Sequence, residues 1–164
     1  MKTIYLVRHA KSSWKYPNLD DFERPLNKRG RKSAPFMGTV LKKLKVAPDI
    51  IISSPANRAS MTARIIADKI SYPLEKICFS ESIYEFSANA LIDVIKHLDD
   101  VVDKAMLVGH NPALTDLANY IGDQPISNIP TSGVFCADLD IPSWAKICDH
   151  CGKLKFFEFP NKHA

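Results

Sequence analysis

The stretch TIYLVRHA, residues 3–10, passes in one step from an apolar run to two basic side chains. Residues 3–7 are rich in β-branched and aromatic side chains, a composition typical of a buried strand. Arg8 and His9 follow directly. A strand that ends abruptly in an arginine and a histidine indicates that a polar site lies at its carboxyl end.

Strand-like and helix-like segments alternate along the rest of the chain. Further strands are predicted over 49–53, 77–79, 105–108, 134–139 and 154–159. Helices are predicted over 28–44, from Asn57 to about Ile70, over 89–98 and over 111–121, with Asn27, Ser87 and Asn111 as N-caps. Pro35 should kink or delay the first helix, whereas Pro112 suits the start of the last one.

This alternation predicts an α/β fold of three layers, in which helices cover both faces of a mostly parallel sheet. The last two strands should close one end of that sheet, as neighbours. A length of 164 residues is that of one ordinary domain, and the chain shows no internal repeat, low-complexity tract or linker. We therefore expect a single domain over residues 1–164.

Composition and charge exclude several function classes. The net charge is +4, but the basic residues are scattered among acidic ones, which argues against nucleic-acid binding. Arg8 and His9 interrupt the apolar run at the start, so it is predicted to be neither a signal peptide nor a membrane span. The four cysteines lack the dense spacing of a secreted disulfide scaffold. A cytoplasmic protein without a membrane partner is expected.

Three segments carry basic or imidazole side chains directly after predicted strands. Arg8 and His9 follow the first strand, Arg58 follows the second, and His110 follows the fourth. Ligands of parallel α/β sheets bind beyond the carboxyl ends of the strands, so these side chains should meet at one edge. Arginine forks can hold the oxygens of a phosphoryl group without a metal or cofactor, and a neutral histidine can attack phosphorus. A backbone carbonyl would then have to fix the other ring N–H of His9.

Four motifs together resemble a known family. They are YLVRHAKSSW (5–14), RPLNKRG (24–30), SSPANRASMTA (53–63) and VGHNPAL (108–114). In this order they are similar to the histidine phosphatase superfamily, also called phosphoglycerate-mutase-like. Within it, the short chain and the wording KSSW, RPLNKRG and GHNP resemble the SixA-type phosphohistidine phosphatases.

The resemblance assigns roles residue by residue. His9 matches the phosphorylated nucleophile of the family, and Arg8, Arg58 and His110 match its phosphate-binding and second catalytic-site positions. Arg24 is a further candidate for the phosphate pocket. Glu85 is the nearest match to the carboxylic acid with which the larger superfamily often protonates a leaving group.

Two positions depart from the family pattern. Ala10 stands where the family usually has glycine, which is acceptable unless that backbone needs a positive φ. Lys15 stands where the mutases have asparagine, which argues against a sugar-phosphate mutase.

The implied activity is that of a metal-independent phosphatase with a covalent phosphohistidine intermediate, acting on phosphohistidine in a partner protein. Hydrolysis of a small phosphorylated metabolite, such as a sugar phosphate, is the alternative substrate. An alternative of another class is a non-catalytic module that binds phosphorylated proteins. The sequence does not determine the oligomeric state.

Several side chains leave two interpretations open. Arg24 could pair with Asp20, Asp21 or Glu23 instead of lining the pocket, and Glu85 could be a solvated carboxylate. Trp14 and Tyr16 could form a rim that receives a protein substrate, or could cover an edge of the core. Cys148 and Cys151 are expected to be free thiols, because zinc would need four ligands and there is no second C-x-x-C motif.

Overall fold

The computed structural model describes residues 1–84 and 87–163. Within these residues, six strands form one sheet with four α-helices around it. The strands are β1 (Lys2–Arg8), β2 (Ile50–Ser53), β3 (Cys78–Phe79), β4 (Lys104–Gly109), β5 (Val134–Leu139) and β6 (Gly152–Glu158). The helices are α1 (Lys28–Lys43), α2 (Asn57–Lys69), α3 (Ala88–Lys96) and α4 (Ala113–Ile121). Their alternation follows the predicted order.

The sheet has the strand order β3-β2-β4-β1-β5-β6. The first four strands in this order are parallel, whereas β5 and β6 are antiparallel to their neighbours. The prediction of a mostly parallel sheet with the last two strands side by side at one end is confirmed. In the register of the sheet, Arg8 lies opposite Gly109, and Ser53 lies opposite Val108. The carboxyl ends of β1, β2 and β4 therefore reach the same edge.

Alternating side chains of β1 divide the core into two apolar layers. Ile4 and Leu6 pack into the cluster that includes the buried faces of α3 and α4. Tyr5 and Val7 pack into the cluster that includes α1 and α2. Because successive strand residues point to opposite faces, one short strand serves both layers. The predicted three-layer αβα arrangement is confirmed.

Helix α1 begins where the sequence predicts it. The side chain of Asn27 accepts a hydrogen bond from the backbone N–H of Gly30 at 2.9 Å, which satisfies an otherwise unpaired donor of the first turn. A Cβ atom on Gly30 would collide with the backbone carbonyl of Lys11, so only glycine permits this approach. The expectation that Pro35 delays the helix is wrong, because the helix runs through Pro35 from Lys28.

Helix α4 begins later than predicted. It starts at Ala113 with Pro112 in the N-cap position, so the prediction of Asn111 as the N-cap is wrong. The Asn111 side chain reaches inward instead, and its Oδ1 atom accepts hydrogen bonds from the N–H and hydroxyl of Thr115. In the part of the chain that the structure describes, no helix has the length and apolar character needed to cross a lipid bilayer.

Candidate active site

His9 lies directly after β1, and backbone contacts fix it there. Its N–H donates to the carbonyl of Gly109 at 3.0 Å, which ties the end of β1 to the end of β4. The ring Nδ1 atom lies 2.7 Å from the carbonyl oxygen of Ala10. Because a carbonyl oxygen can only accept, Nδ1 must carry the hydrogen, and Nε2 keeps its lone pair. This is the backbone contact that an attacking histidine requires.

The surroundings keep the His9 ring neutral. Burial lowers the pKa of His9 to about 4, and the charges of Arg58, Arg8 and Arg24 act in the same direction against the opposing hydrogen bond to Ala10. A histidine with this pKa is unprotonated at neutral pH. The Nε2 atom is therefore available as a nucleophile without prior loss of a proton.

His110 is the residue after β4, and its ring faces that of His9. The two ring centroids lie 5.2 Å apart, with the planes tilted by 52°. The Nε2 atom of His110 lies 2.8 Å from the hydroxyl oxygen of Ser54. Burial, together with the charges of His9 and Arg58, lowers the pKa of His110 to about 3. Both imidazoles at the site are thus neutral at physiological pH.

Arg8 is the last residue of β1. The sequence predicted that this strand ends at Val7, so the strand is one residue longer at its carboxyl end than predicted. One Nη1 hydrogen of Arg8 is donated to the carbonyl of Ile129 at 3.0 Å. The Nε atom is buried and has no hydrogen-bond partner among the described residues. Burial lowers the pKa of Arg8. A half-buried cation with spare donors beside two neutral imidazoles is suited to bind an anion.

Arg58 is the second residue of α2 and is almost fully buried. Its two terminal nitrogens donate to the backbone carbonyl of Asp21 at 2.6 Å and to the Asp21 carboxylate at 2.9 Å. The same carboxylate accepts from the Tyr84 hydroxyl at 2.8 Å. Although burial acts to raise the pKa of Asp21, the hydrogen bonds from Tyr84 and Arg58 lower it to about 2. Asp21 is therefore ionised and holds the guanidinium in place.

Arg24 forms one of the ion pairs that the sequence left open, and its role in the phosphate pocket stays a prediction. It pairs with Asp21 at 2.9 Å, rather than with either neighbouring acid, and donates to the Ser12 hydroxyl. Its charge also contributes to the lowered pKa of His9. The guanidinium carbon lies 3.4 Å from the centroid of the Trp14 ring. Trp14 is itself 78% exposed, so it does not cover the core, and its role as a rim for a protein substrate stays a prediction.

Sequence reasoning missed two residues that shape the site. Asp21 was considered only as a partner for Arg24, because nothing in the sequence indicates that the loop folds back to Arg58. Ser132 is buried with a φ of 63°, and its N–H donates to the carbonyls of Arg8 and His9 at 3.1 and 3.2 Å. The sequence PTSG (130–133) is typical of a turn, but such a composition carries no sign of this contact.

Of the remaining candidate residues, Glu85 lies outside the part of the chain that the structure describes. Ala10 is not among the described residues with a positive φ, so alanine is compatible with the backbone in place of glycine. Cys148 and Cys151 are free thiols, as predicted. Across residues 1–84 and 87–163, no cluster of three or more histidine, cysteine, aspartate or glutamate side chains could hold a metal ion.

Comparison with known proteins agrees with this geometry. Residues 4–85 match the sequence profile of the histidine phosphatase superfamily (branch 1). An uncharacterized protein of Mycobacterium tuberculosis is 30% identical over 94% of this chain and 99% of its own. An uncharacterized chloroplastic protein of Arabidopsis thaliana is 29% identical over 76% of this chain, and the match spans only 61% of the Arabidopsis protein.

A solved structure has the same architecture over nearly its full length. The crystal structure from Agrobacterium tumefaciens that was assigned as a phosphohistidine phosphatase SixA superimposes with a TM-score of 0.82 and 28% identity, covering 97% of this chain and 98% of that one. The sequence profile, the full-length relative and this superposition agree with one another. The chain belongs to the histidine phosphatase superfamily, and within it to the SixA type.

Proposed function

We propose that this protein is a metal-independent phosphatase in which His9 is the nucleophile. The observation that carries the proposal is the state of His9: a neutral ring whose Nδ1 hydrogen is bound by the Ala10 carbonyl and whose Nε2 lone pair is free. Around this ring lie the guanidinium groups that lower its pKa, those of Arg58, Arg8 and Arg24. A nucleophile surrounded by fixed cations is suited to attack an anionic phosphoryl group.

The reaction has two steps. In the first, the Nε2 atom of His9 attacks phosphorus, a new N–P bond forms, and the bond from phosphorus to the leaving group breaks. The ring then carries a positive charge, which the hydrogen bond from Nδ1 to Ala10 stabilises. In the second step, water attacks the phosphohistidine, so that inorganic phosphate leaves and His9 recovers its lone pair.

The basic residues act on the charge that spreads over the phosphoryl oxygens. Arg8 and Arg58 would bind these oxygens through planar guanidinium groups that can hold two oxygens at once, whereas a lysine offers only a point charge. His110 lies beside the attacking ring and would contact the same group. Arg24 contributes charge from slightly further away, through the cluster that it forms with Asp21.

A phosphohistidine side chain of another protein is the substrate that we propose. Trp14 is exposed and stacks on Arg24, and Tyr16 two residues later is exposed as well, so aromatic surface is available for a partner protein. The P–N bond of phosphohistidine is labile, and its leaving group is an imidazole. The reaction therefore depends less on a strong acid, and the role of Glu85 as a proton donor stays a prediction. The single domain and the cytoplasmic location stay predictions as well.

The decisive experiment uses a protein labelled on phosphohistidine. Brief incubation with the phosphatase, followed by mapping of the acid-labile label, should place the label on His9, with release of phosphate. A panel of small phosphoesters, measured in parallel, identifies the substrate class. If small esters are turned over much faster, the substrate is a metabolite. If the labelled protein binds but no phosphate is released, the chain is a phosphoprotein-binding module and not an enzyme.

A further inference from the structure

A cationic cleft opens beside the proposed phosphoryl site. Its volume is about 800 Å³, and its lining includes Arg8, Lys11, Arg29 and Lys32. Among the described residues that line it, His9, Arg58 and His110 do not occur. Arg8 lines this cleft, and its charge also lowers the pKa of the adjacent residue His9. A substrate bound at the proposed phosphoryl site would therefore lie next to the cleft.

The cations of the cleft are not neutralised by the protein itself. Lys11, Arg29 and Lys32 are exposed, and none of them forms an ion pair with another residue of the described chain. The described lining contains no aspartate or glutamate. Arg29 and Lys32 are three residues apart on α1, so they lie on the same face, where like charges repel. An anion in the cleft would relieve that repulsion.

The position of the basic residues at the start of α1 also indicates that the cleft binds an anion. Four of the first five residues of the helix are basic, and its first turn contains no acidic residue. The amino end of a helix carries a partial positive charge, so basic residues there are unfavourable for the helix itself. Helix α2 has only one basic residue in its first turn, Arg58, and the Asp21 carboxylate pairs with it. The four basic residues at the start of α1 have no ion-pair partner among the described residues. The charge pattern of α1 is therefore better explained by a ligand than by helix stability.

We infer that this cleft binds an acidic segment of the substrate protein, next to the phosphorylated histidine. The inference rests on the proposed function and narrows it from phosphohistidine proteins in general to those with acidic side chains beside the phosphorylated residue. The lining also includes the exposed ring of Phe36, the half-buried ring of Phe159, and the side chains of Asn128 and Thr131. A peptide segment offers both the carboxylates and the aliphatic stems that such a lining accepts.

The test compares two peptides that carry a non-hydrolysable phosphonate analogue of phosphohistidine. One peptide has aspartate and glutamate around the analogue, and the other has asparagine and glutamine at the same positions. Binding is measured by fluorescence anisotropy, so the result does not depend on turnover. We expect the acidic peptide to bind about fivefold to tenfold more tightly, with the difference shrinking as salt is raised.

Two double variants locate the effect. In Arg29→Gln with Lys32→Gln, the acidic peptide should lose its advantage over the neutral one. The matched control is Lys28→Gln with Arg31→Gln, which removes the same charge from the same turn but from side chains that do not line the cleft. This control should keep the preference for the acidic peptide. Circular dichroism checks that both proteins are folded.

Three results would overturn the inference. The first is equal affinity of the unaltered protein for both peptides, and the second is an equal loss of preference in the control variant. The third is that Arg29→Gln with Lys32→Gln lowers the affinity for inorganic pyrophosphate but leaves the affinity for the acidic peptide unchanged. Turnover of a phosphohistidine protein is measured separately. If turnover is absent while the charge preference persists, the proposed function fails and the acidic-segment site stands.

Discussion

Asp21 binds Arg58 through both its backbone and its side chain. The Asp21 carbonyl accepts from Nη1 at 2.6 Å, and its carboxylate accepts from Nη2 at 2.9 Å. A guanidinium has five N–H donors, so this arrangement leaves three of them for other acceptors. The Asp21 contact therefore fixes the orientation of Arg58 without using up its capacity to bind phosphoryl oxygens.

Removal of the Asp21 carboxylate should loosen Arg58 and reduce catalysis. Since this carboxylate is 44% exposed and screened by water, we expect Asp21→Ala to lower kcat/KM by only about threefold to tenfold. Asp21→Asn keeps an acceptor oxygen and should lose less. Steady-state kinetics on a phosphohistidine peptide provide the measurement. Asp68→Ala, an exposed acid on α2, is the control, and an equal loss there would contradict the positioning role.

Loss of the proposed nucleophile should abolish both turnover and covalent labelling. In His9→Ala no ring nitrogen remains to form the N–P bond, so neither phosphate release nor an acid-labile label is expected. Rapid quench after mixing with labelled substrate measures both quantities. His97 is an exposed histidine on the surface, and His97→Ala should behave like the unaltered protein. Undiminished labelling of the His9→Ala protein would show that another residue is the nucleophile.

Arg58→Ala should weaken stabilisation of the transition state. By analogy with removal of one oxyanion donor, we expect kcat to fall on the order of 10²- to 10³-fold. Arg64→Ala removes an arginine from the exposed face of the same helix and should change kcat little. Pre-steady-state measurement of label formation would show whether the loss lies in the attack by His9. A loss of less than threefold would remove Arg58 from the proposed mechanism.

The pH dependence should differ from that of an ordinary histidine enzyme. Because the pKa of His9 is lowered to about 4, the nucleophile stays unprotonated well below pH 6.5, and the acid limb of kcat/KM should lie near 4. An acid limb near pH 6.5 would contradict the neutral, buried state of the ring. A pH series from 4 to 8 on an acid-stable substrate analogue decides between these outcomes.

The same shifts predict how stability changes with pH. Between about pH 6.5 and pH 4 the unfolded chain binds a proton at His9 and at His110, whereas the folded chain does not. The free energy of unfolding should therefore fall as the pH is lowered, by at most about 1.4 kcal/mol per pH unit for each histidine. Urea unfolding at pH 7 and pH 5 measures the slope, which should be smaller in His9→Ala.

Chelators should leave the activity unchanged. In the proposed mechanism, the charge on the phosphoryl group is balanced by Arg8, Arg58 and neighbouring N–H donors, so no step calls for a divalent cation. Incubation with EDTA, followed by addition of zinc or magnesium, tests this directly. An EDTA-sensitive rate that is restored by either ion would refute the mechanism.

The sequence predicted the fold and the edge of the sheet at which the site lies. Periodic apolar residues and local caps such as Asn27 are short-range signals, and the structure follows them closely. The predicted start of α4 was wrong. The helix begins at Ala113 after Pro112, and Asn111, which lies one residue before the N-cap, accepts a hydrogen bond from the N–H of Thr115. The alternation of strands and helices was enough to predict the three layers, because such a chain forms a parallel sheet with helices on both faces.

Contacts between distant loops could not be predicted. The bonds from Asp21 to Arg58 and from Ser132 to the carbonyls of Arg8 and His9 join segments that are far apart in the chain. Such contacts depend on how loops fold back over the sheet, for which a single sequence carries no periodic signal. The cleft beside Arg8 was missed for the same reason, because its cations come from α1 and from the segment after β1.

The close approach of Gly30 to Lys11 has a consequence for evolution. The first turn of α1 also bonds to the segment after His9 through Asn27, whose backbone N–H donates to the Lys11 carbonyl at 2.9 Å. The start of α1 and the segment that carries His9 are therefore held together by direct contact of their main chains. Any side chain at Gly30 would displace Lys11, two residues from His9, so we expect glycine to be retained at this position in related sequences.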